Sequence, residues 1–575
     1  MAPPTSVPKD SRASSTLNGH SAPSAALEAV GTRPQRSQRR PTKQASYELA
    51  NHAKAYLEGG QYASGYDFLY SLLAAGTSIS TPAQPYIGFL APPAYIAFAS
   101  SLVADPKFTT KARWQDAVKG PDAALRYLRC VHTTIDGPAY PAIRKAFTFP
   151  EERTRKRVLG LGDDIERIAG ENANERSLWY RADDFWHIVG WAFNCSIAHK
   201  KRWGRWKLWL SNMLDFLEAD WDVCVRQSKE DEANREAILR DSILWHYIAG
   251  GAGSANRGKR RRIVKAILAT ATPDSRKEYP EIWEKETIEL KRKKKEEQPL
   301  GEVDFETGEL GDYDSDEETQ DALEDTGRSS PTKSDDGITD LHQAVQRLGG
   351  KDAIELRQRL IALLALVAQA LPSFFTTLSD FFDNILEDFI HLPTIMFKVL
   401  LSTLRMPGLF QVAFNTNLLL PLVSGNVPDY FKYEPTQEQF ESDLLPCKGT
   451  TQSYAANAKI SLILEQIFVY MISVDALTPT NTLRQAMEDG IGARLSVLGS
   501  GRSKKGNVQE EEQAHELMDA CSERLLGLLE VLEIVAGKPA QPLNRKSKVG
   551  AGAGSALLSF GSGSSISSAP DSDTE

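Results

Sequence analysis

The chain of 575 residues and 63.5 kDa, 41% hydrophobic and 25% charged, carries enough apolar material for two or more domains and is neither collagen-like nor low in complexity throughout. Its five cysteines, Cys130, Cys195, Cys224, Cys447 and Cys521, are too few and too scattered for a disulfide framework, which points to a reducing compartment. The formal net charge of -9 conceals blocks of opposite sign along the chain.

Residues 1–45 hold seven Lys/Arg against two acids and few large apolar side chains, so they are expected to form a disordered basic arm with no secretory signal. Within it Arg36, Arg39 and Arg40 have the composition of a nuclear import address. An α-helical domain is expected over 46–295. It begins with a helical hairpin that turns at Gly59-Gly60 and ends at Gly76. The hairpin loosely resembles one tetratricopeptide unit, but the period of about 34 residues does not recur downstream. Prolines 82, 85, 92 and 93 then mark a loop, followed by short serial helices at 94–103, 114–118 and 122–134.

Eight of the ten tryptophans fall between Asn172 and Ile248, among them Trp186, Trp203, Trp206 and Trp209. Asp183 or Asp184 suits the cap of a helix bearing Trp186, Val189 and Phe193, and 205–220 repeats that helical spacing. The stretch 200–209 (KKRWGRWKLW) interleaves bases with aromatics as single-strand nucleic-acid binders do, but tryptophans three residues apart continue the apolar face of Leu210 and Met213. Core packing is the favoured reading. One further helix is expected from Glu232 to a stop at Gly250-Gly251.

Gly253 to Arg260 matches the G-x-x-x-x-G-K part of a phosphate-binding loop. Arg260, however, replaces the Ser/Thr that would hold magnesium, and the preceding ILWHYIAG is patterned as a helix. A flexible loop before a basic amphipathic helix fits better. Lys259, Arg260, Arg261, Arg262 and Lys265 are therefore the candidate contacts for nucleic acid or an acidic partner. A second basic cluster, Lys291, Arg292, Lys293, Lys294 and Lys295, is another candidate import address, and 257–295 carries 14 bases against six acids.

The sign then reverses. Residues 296–326 hold 14 acids and no Lys or Arg, so 296–336 reads as an acidic disordered linker. Ser315 before three acids and Ser572 before Asp573-Thr574-Glu575 resemble acidophilic casein kinase sites. Ser330-Pro331-Thr332-Lys333 resembles a cyclin-dependent kinase site.

A C-terminal α-helical domain is expected over 337–537, with apolar-periodic segments near 352–371, 374–390, 394–404, 455–475 and 513–535 and nearly no strand signal. The most apolar run, 360–371, spans 12 residues, short of the about 20 that cross a bilayer, so the chain is read as soluble and without a membrane partner. Gly/Ser-rich residues 538–575 form a disordered tail.

The expected fold is thus all-α, an irregular helical solenoid or stack of HEAT-like hairpins in two blocks. His187, Cys195, His199 and Cys224 lack the close spacing of zinc ligands, and no nucleophile elbow occurs, so no cofactor, metal or small-molecule substrate is expected. The composite reading is a non-enzymatic nuclear scaffold in a chromatin-associated complex of genome maintenance or gene regulation, bound to other protein subunits. The alternative is a nucleic-acid-binding protein, for example in ribosome biogenesis, using 259–265.

Overall fold

Ser46 accepts the Leu49 backbone N–H on its hydroxyl, which starts α1 (Tyr47–Glu58). A computed structural model describes residues 39–81, 83–150, 167–250, 254–288, 341–404, 406, 408–423, 434–497 and 508–538. After the Gly59-Gly60 turn come α2 (Tyr62–Ala74), α3 (Pro93–Ala104), α4 (Lys119–Thr134) and α5 (Tyr140–Ala146). The Trp-rich region supplies α6 (Leu178–Arg181), α7 (Phe185–Ala198), α8 (Lys200–Glu230), α9 (Arg235–Arg240) and α10 (Ile243–Ala249). The basic helix is α11 (Arg257–Ile267), followed by α12 (Pro273–Glu278).

Beyond the acidic segment lie α13 (Leu341–Arg347), α14 (Lys351–Ala370), α15 (Leu378–Phe389), α16 (Thr394–Thr403) and α17 (Gly408–Leu419). The last four are α18 (Gln437–Gln439), α19 (Tyr454–Ser473), α20 (Asn481–Leu495) and α21 (Val508–Val535). The protein is all-α, with one small sheet and an isolated antiparallel bridge, Val423 to Gly449, among the described residues. Thr42–Gln44 and Gly88–Leu90 pair as a two-stranded parallel sheet, Thr42 opposite Gly88. The second strand lies in the proline-rich stretch, where short length and Gly88 gave no alternating pattern to read.

The expected single helix after Glu232 is broken at Asp241-Ser242. There the Ser242 hydroxyl accepts the Trp245 N–H at 3.2 Å and the buried Asp220 carboxylate accepts the Ile243 N–H at 2.7 Å. A carboxylate reaching over from α8 thus competes successfully for a donor that a continuous helix would have used internally.

Helix α8 is the axis of the N-terminal half. It packs against α3, α4, α7, α9 and α10, and on its remaining side against α14. Buried apolar residues from both sides of the acidic segment belong to one contiguous cluster, running from Ala53 to Leu529. Polar ties cross the same seam. The Arg359 guanidinium donates to Asp215 at 2.7 Å and to Glu218 at 2.8 Å, and Lys207 meets Asp352 at 2.7 Å.

Arg357 is buried without a carboxylate. It donates to the carbonyls of Ile267 and Ala269, each at 2.8 Å, and to that of Leu348, with its guanidinium 4.2 Å from the Phe193 ring centroid. Burial lowers its pKa to about 9.

Helix α19 is long and apolar enough to cross a membrane, a length the sequence reading had not singled out in favour of 360–371. In the fold it packs against α16, α17 and α21, and it draws in polar groups. Lys459 is buried and donates to the Ile390 carbonyl at 2.6 Å, and Asn457 and Ser461 are fully buried.

Candidate binding site at the basic helix

Asn256 accepts the Lys259 backbone N–H on Oδ1 at 2.9 Å and opens α11. From there the i, i+3, i+4 spacing puts Ile263, Val264 and Ile267 into the core against α7 and α15, with the bases on the remaining faces. A close approach holds the α7 side in place. A Cβ on Gly190 would stand 2.3 Å from the Tyr279 ring, whose hydroxyl donates to the Arg262 carbonyl at 2.7 Å. Burial raises the Tyr279 pKa, with the Glu278 carboxylate adding to it.

Each of the five predicted contact residues has an intramolecular partner. The Lys259 ammonium donates to the Ala249 carbonyl, and Arg260 donates to the carbonyls of Ala255 and Phe375, each at 3.0 Å. Arg261 meets Glu387 at 3.4 Å, Arg262 meets Asp184 at 2.6 Å, and Lys265 meets Glu278 at 3.4 Å. The partners belong to the cap of α7, to α10, α12 and α15, and to the loops beside α10 and α15, so the basic helix clamps its neighbours together. Asp184 also caps α7, accepting the His187 N–H at 2.8 Å.

A cavity of about 560 Å³ opens beside α11. Phe147, Phe149, Phe185, Trp186 and Tyr247 form its walls, with Ile263 at the α11 side and Asp183, His246, Lys259 and Arg262 around it. The rings hold one another: Phe185 stacks on Tyr247 at 4.5 Å and 10°, Phe149 meets Tyr247 edge-on at 5.8 Å, and the Trp186 indole N–H donates to the Tyr247 carbonyl at 2.9 Å. The Tyr247 hydroxyl donates to the Phe147 carbonyl at 2.7 Å, and burial pushes its pKa well up. Such a cavity offers a mainly apolar lining, although Phe147 and Phe185 are themselves fully buried. Lys259, whose partner is a neutral carbonyl, places a positive charge at its edge, and the Asp183 carboxylate lies on the same lining.

The tryptophans of 200–209 lie elsewhere, inside. Trp203, Trp206 and Trp209 are 6%, 0% and 1% exposed, and Trp206 stacks on Trp283 at 5.7 Å. Between them Arg202 is buried, donating to Glu286 at 2.7 Å and to the Ala104 carbonyl at 2.6 Å, with its guanidinium 5.5 Å from the Trp206 ring. Core packing is what the alternation of bases and aromatics serves.

Of the import bases, Arg40 is turned inward. It is 4% exposed, donates to the carbonyls of Ala75 at 2.7 Å and of Leu73, and burial lowers its pKa. Arg39 adjoins it, half-buried. Arg36, Lys291, Arg292, Lys293, Lys294 and Lys295, and the candidate phosphorylation sites Ser315, Ser330 and Ser572, lie outside the described residues.

The residues weighed for zinc have other roles. His187 Nδ1 accepts the Asp183 N–H at 3.2 Å while its Nε2 lies 3.0 Å from the Pro280 carbonyl, and Cys224 accepts from Arg144 at 3.0 Å, burial pushing the thiol up to about 12. Among the described residues no group of three or more His, Cys, Asp or Glu side chains is placed to hold a metal ion.

The sequence reading missed the aromatic cavity. Its walls come from four separate segments, and the one local signal was the Phe147-Thr148-Phe149-Pro150 run. No protein-family model matches the chain, and no curated protein matches it either.

Proposed function

We propose that the chain is a non-enzymatic adaptor of a nuclear, chromatin-associated assembly in genome maintenance or gene regulation, holding other protein subunits on its helical surfaces. One observation carries the choice of protein partners over nucleic acid: the groups that would stack bases and pair phosphates are engaged within the fold. Trp203, Trp206 and Trp209 are buried, and five of the six bases of α11 have internal partners, the exposed Arg257 being the sixth. The aromatic cavity beside Lys259 suits an acidic protein segment with an apolar or aromatic anchor, the kind of anchor that dominates protein interfaces. The finer architecture proposed is an irregular, HEAT-like stack of helical hairpins, of which α1 and α2 are the first. Nuclear entry would use Arg36, Arg39 and 291–295, and phosphate on Ser315, Ser330 or Ser572 would add negative charge to acidic surroundings.

The test is affinity purification of the tagged full chain from nuclear extract, with nuclease treatment and a salt series. A stoichiometric set of proteins that survives both is the expected result, since apolar docking resists salt. Retention of nucleic acid that falls steeply with salt would replace the adaptor reading with nucleic-acid binding through 259–265.

A further inference from the structure

Helices α19 and α21 lie side by side and run in the same direction. At their starts the Glu511 carboxylate accepts the Tyr454 N–H at 2.7 Å. Farther along, Arg524 forks onto Glu465 at 2.6 and 2.7 Å. The sequence separation of these pairs stays at 57 to 59, as a parallel pair in register requires.

Residues four and seven positions beyond the ion pair continue the same face of each helix. They are Val469 and Ile472 on α19, and Leu528 and Val531 on α21, with Val535 one turn farther. Here the seam opens. Val469 on α19 and Val531 and Val535 on α21 are 42%, 57% and 80% exposed, although α21 packs on α16, α19 and α20.

Charge indicates what covers this seam. The outward ridge of α21 carries Glu512, Glu516, Glu523 and Glu530, and the helix holds eight acids against one base, Arg524. The two helices also present their negative carbonyl ends on the same side. A second copy of the chain would set acid against acid, and an anionic membrane would be repelled likewise. We propose that the α19/α21 seam docks a basic amphipathic helix of a partner protein. Its apolar stripe rests on Val469, Val531 and Val535, and its lysines or arginines lie over the glutamate ridge. The proposal rests on the adaptor reading and names one of its surfaces and the chemistry of the partner.

The probe is a fluorescein-labelled helical peptide of leucines and lysines in heptad spacing, about five turns long, titrated with the full chain and read by anisotropy. The double variant Val531→Asp/Val535→Asp is expected to bind about tenfold more weakly. Charge attraction alone predicts tighter binding, because the variant adds two acids; binding as tight as wild type, or tighter, overturns the proposal. Val531→Gln/Val535→Gln, which adds no charge and keeps helix propensity, is expected to lose affinity too. Glu523→Lys/Glu530→Lys is expected to weaken binding, and an unchanged affinity overturns the charge assignment. Arg545→Glu/Lys546→Glu/Lys548→Glu is expected to change nothing, whereas a tenfold gain would give the seam to the chain's own residues 539–575. In the nuclear purification, an assembly that persists unchanged in Val531→Asp/Val535→Asp sinks the seam alone. An assembly absent from wild type sinks the adaptor reading.

Discussion

Helices α8 and α21 are the two longest in the described chain, 31 and 28 residues, and they use their side chains in opposite ways. Helix α8 is enclosed by neighbours, buries four tryptophans, and turns two of its five acids inward. Asp220 is fully buried against Arg144 at 2.8 Å, and Glu218 meets Arg359. Helix α21 buries one side and leaves a ridge of glutamates and an apolar end in solvent. Both are long, amphipathic and rich in charge, so those properties do not separate an organiser from a platform. The separating property is whether the charges find partners inside the chain.

The largest expected effect follows from the enclosed helix. Trp206→Ala should cost about 3–5 kcal/mol in chemical denaturation, whereas Val531→Ala should stay within about 0.5 kcal/mol. Equal losses at the two positions would break the contrast.

A sharper probe is the one buried ion pair that pins the end of α21. Arg484 donates to Glu533 at 3.0 Å, and Glu533 is 5% exposed. Arg484→Met leaves that carboxylate without its cation and should cost about 3 kcal/mol. Hydrogen exchange should rise first over 525–535, and uniform loss of protection would show α21 to be as integral as α8.

The smallest effect is a pH dependence at the start of α8. Burial, with Arg276 nearby, holds His199 below its ordinary value of 6.5 against the opposing pull of Glu281. The unfolded chain then binds the proton more readily, so stability is lost as pH falls from 6.5 toward the folded value. His199→Gln should flatten that part of the stability curve, measured by thermal melts between pH 5 and 7.5. An unaltered slope would remove His199 from the picture.

Much of this was legible in the sequence, for reasons that local chemistry explains. Ser46, Asp184 and the Gly59-Gly60 turn are short-range signals, and they set α1, α7 and the first hairpin as expected. The tryptophans of 203–209 were placed in the core from their spacing alone. What escaped was set by distant groups. Asp220 breaks the helix after Glu232 from 23 residues away, and the strand at 88–90 exists because Thr42–Gln44 lies beside it.

Helix α17 (GLFQVAFNTNLL) shows no apolar periodicity because it is nearly all buried, Asn415, Thr416 and Asn417 included. Five of the six bases of α11 read as displayed charge because their partners, Asp184, Glu278, Glu387 and three carbonyl groups nearby in space, are scattered over 200 positions. Buried Arg357 gave no signal at all, since its ligands are backbone carbonyls.

The most direct test is hydrogen exchange on the full chain, alone and within the nuclease-treated assembly. Protection gained over 465–474 and 524–535 is the expected result, with or without a gain at the cavity beside 257–267. Protection gained along 257–267 while 465–474 and 524–535 stay unchanged would show that the basic helix, and not the α19/α21 seam, is where the partner binds.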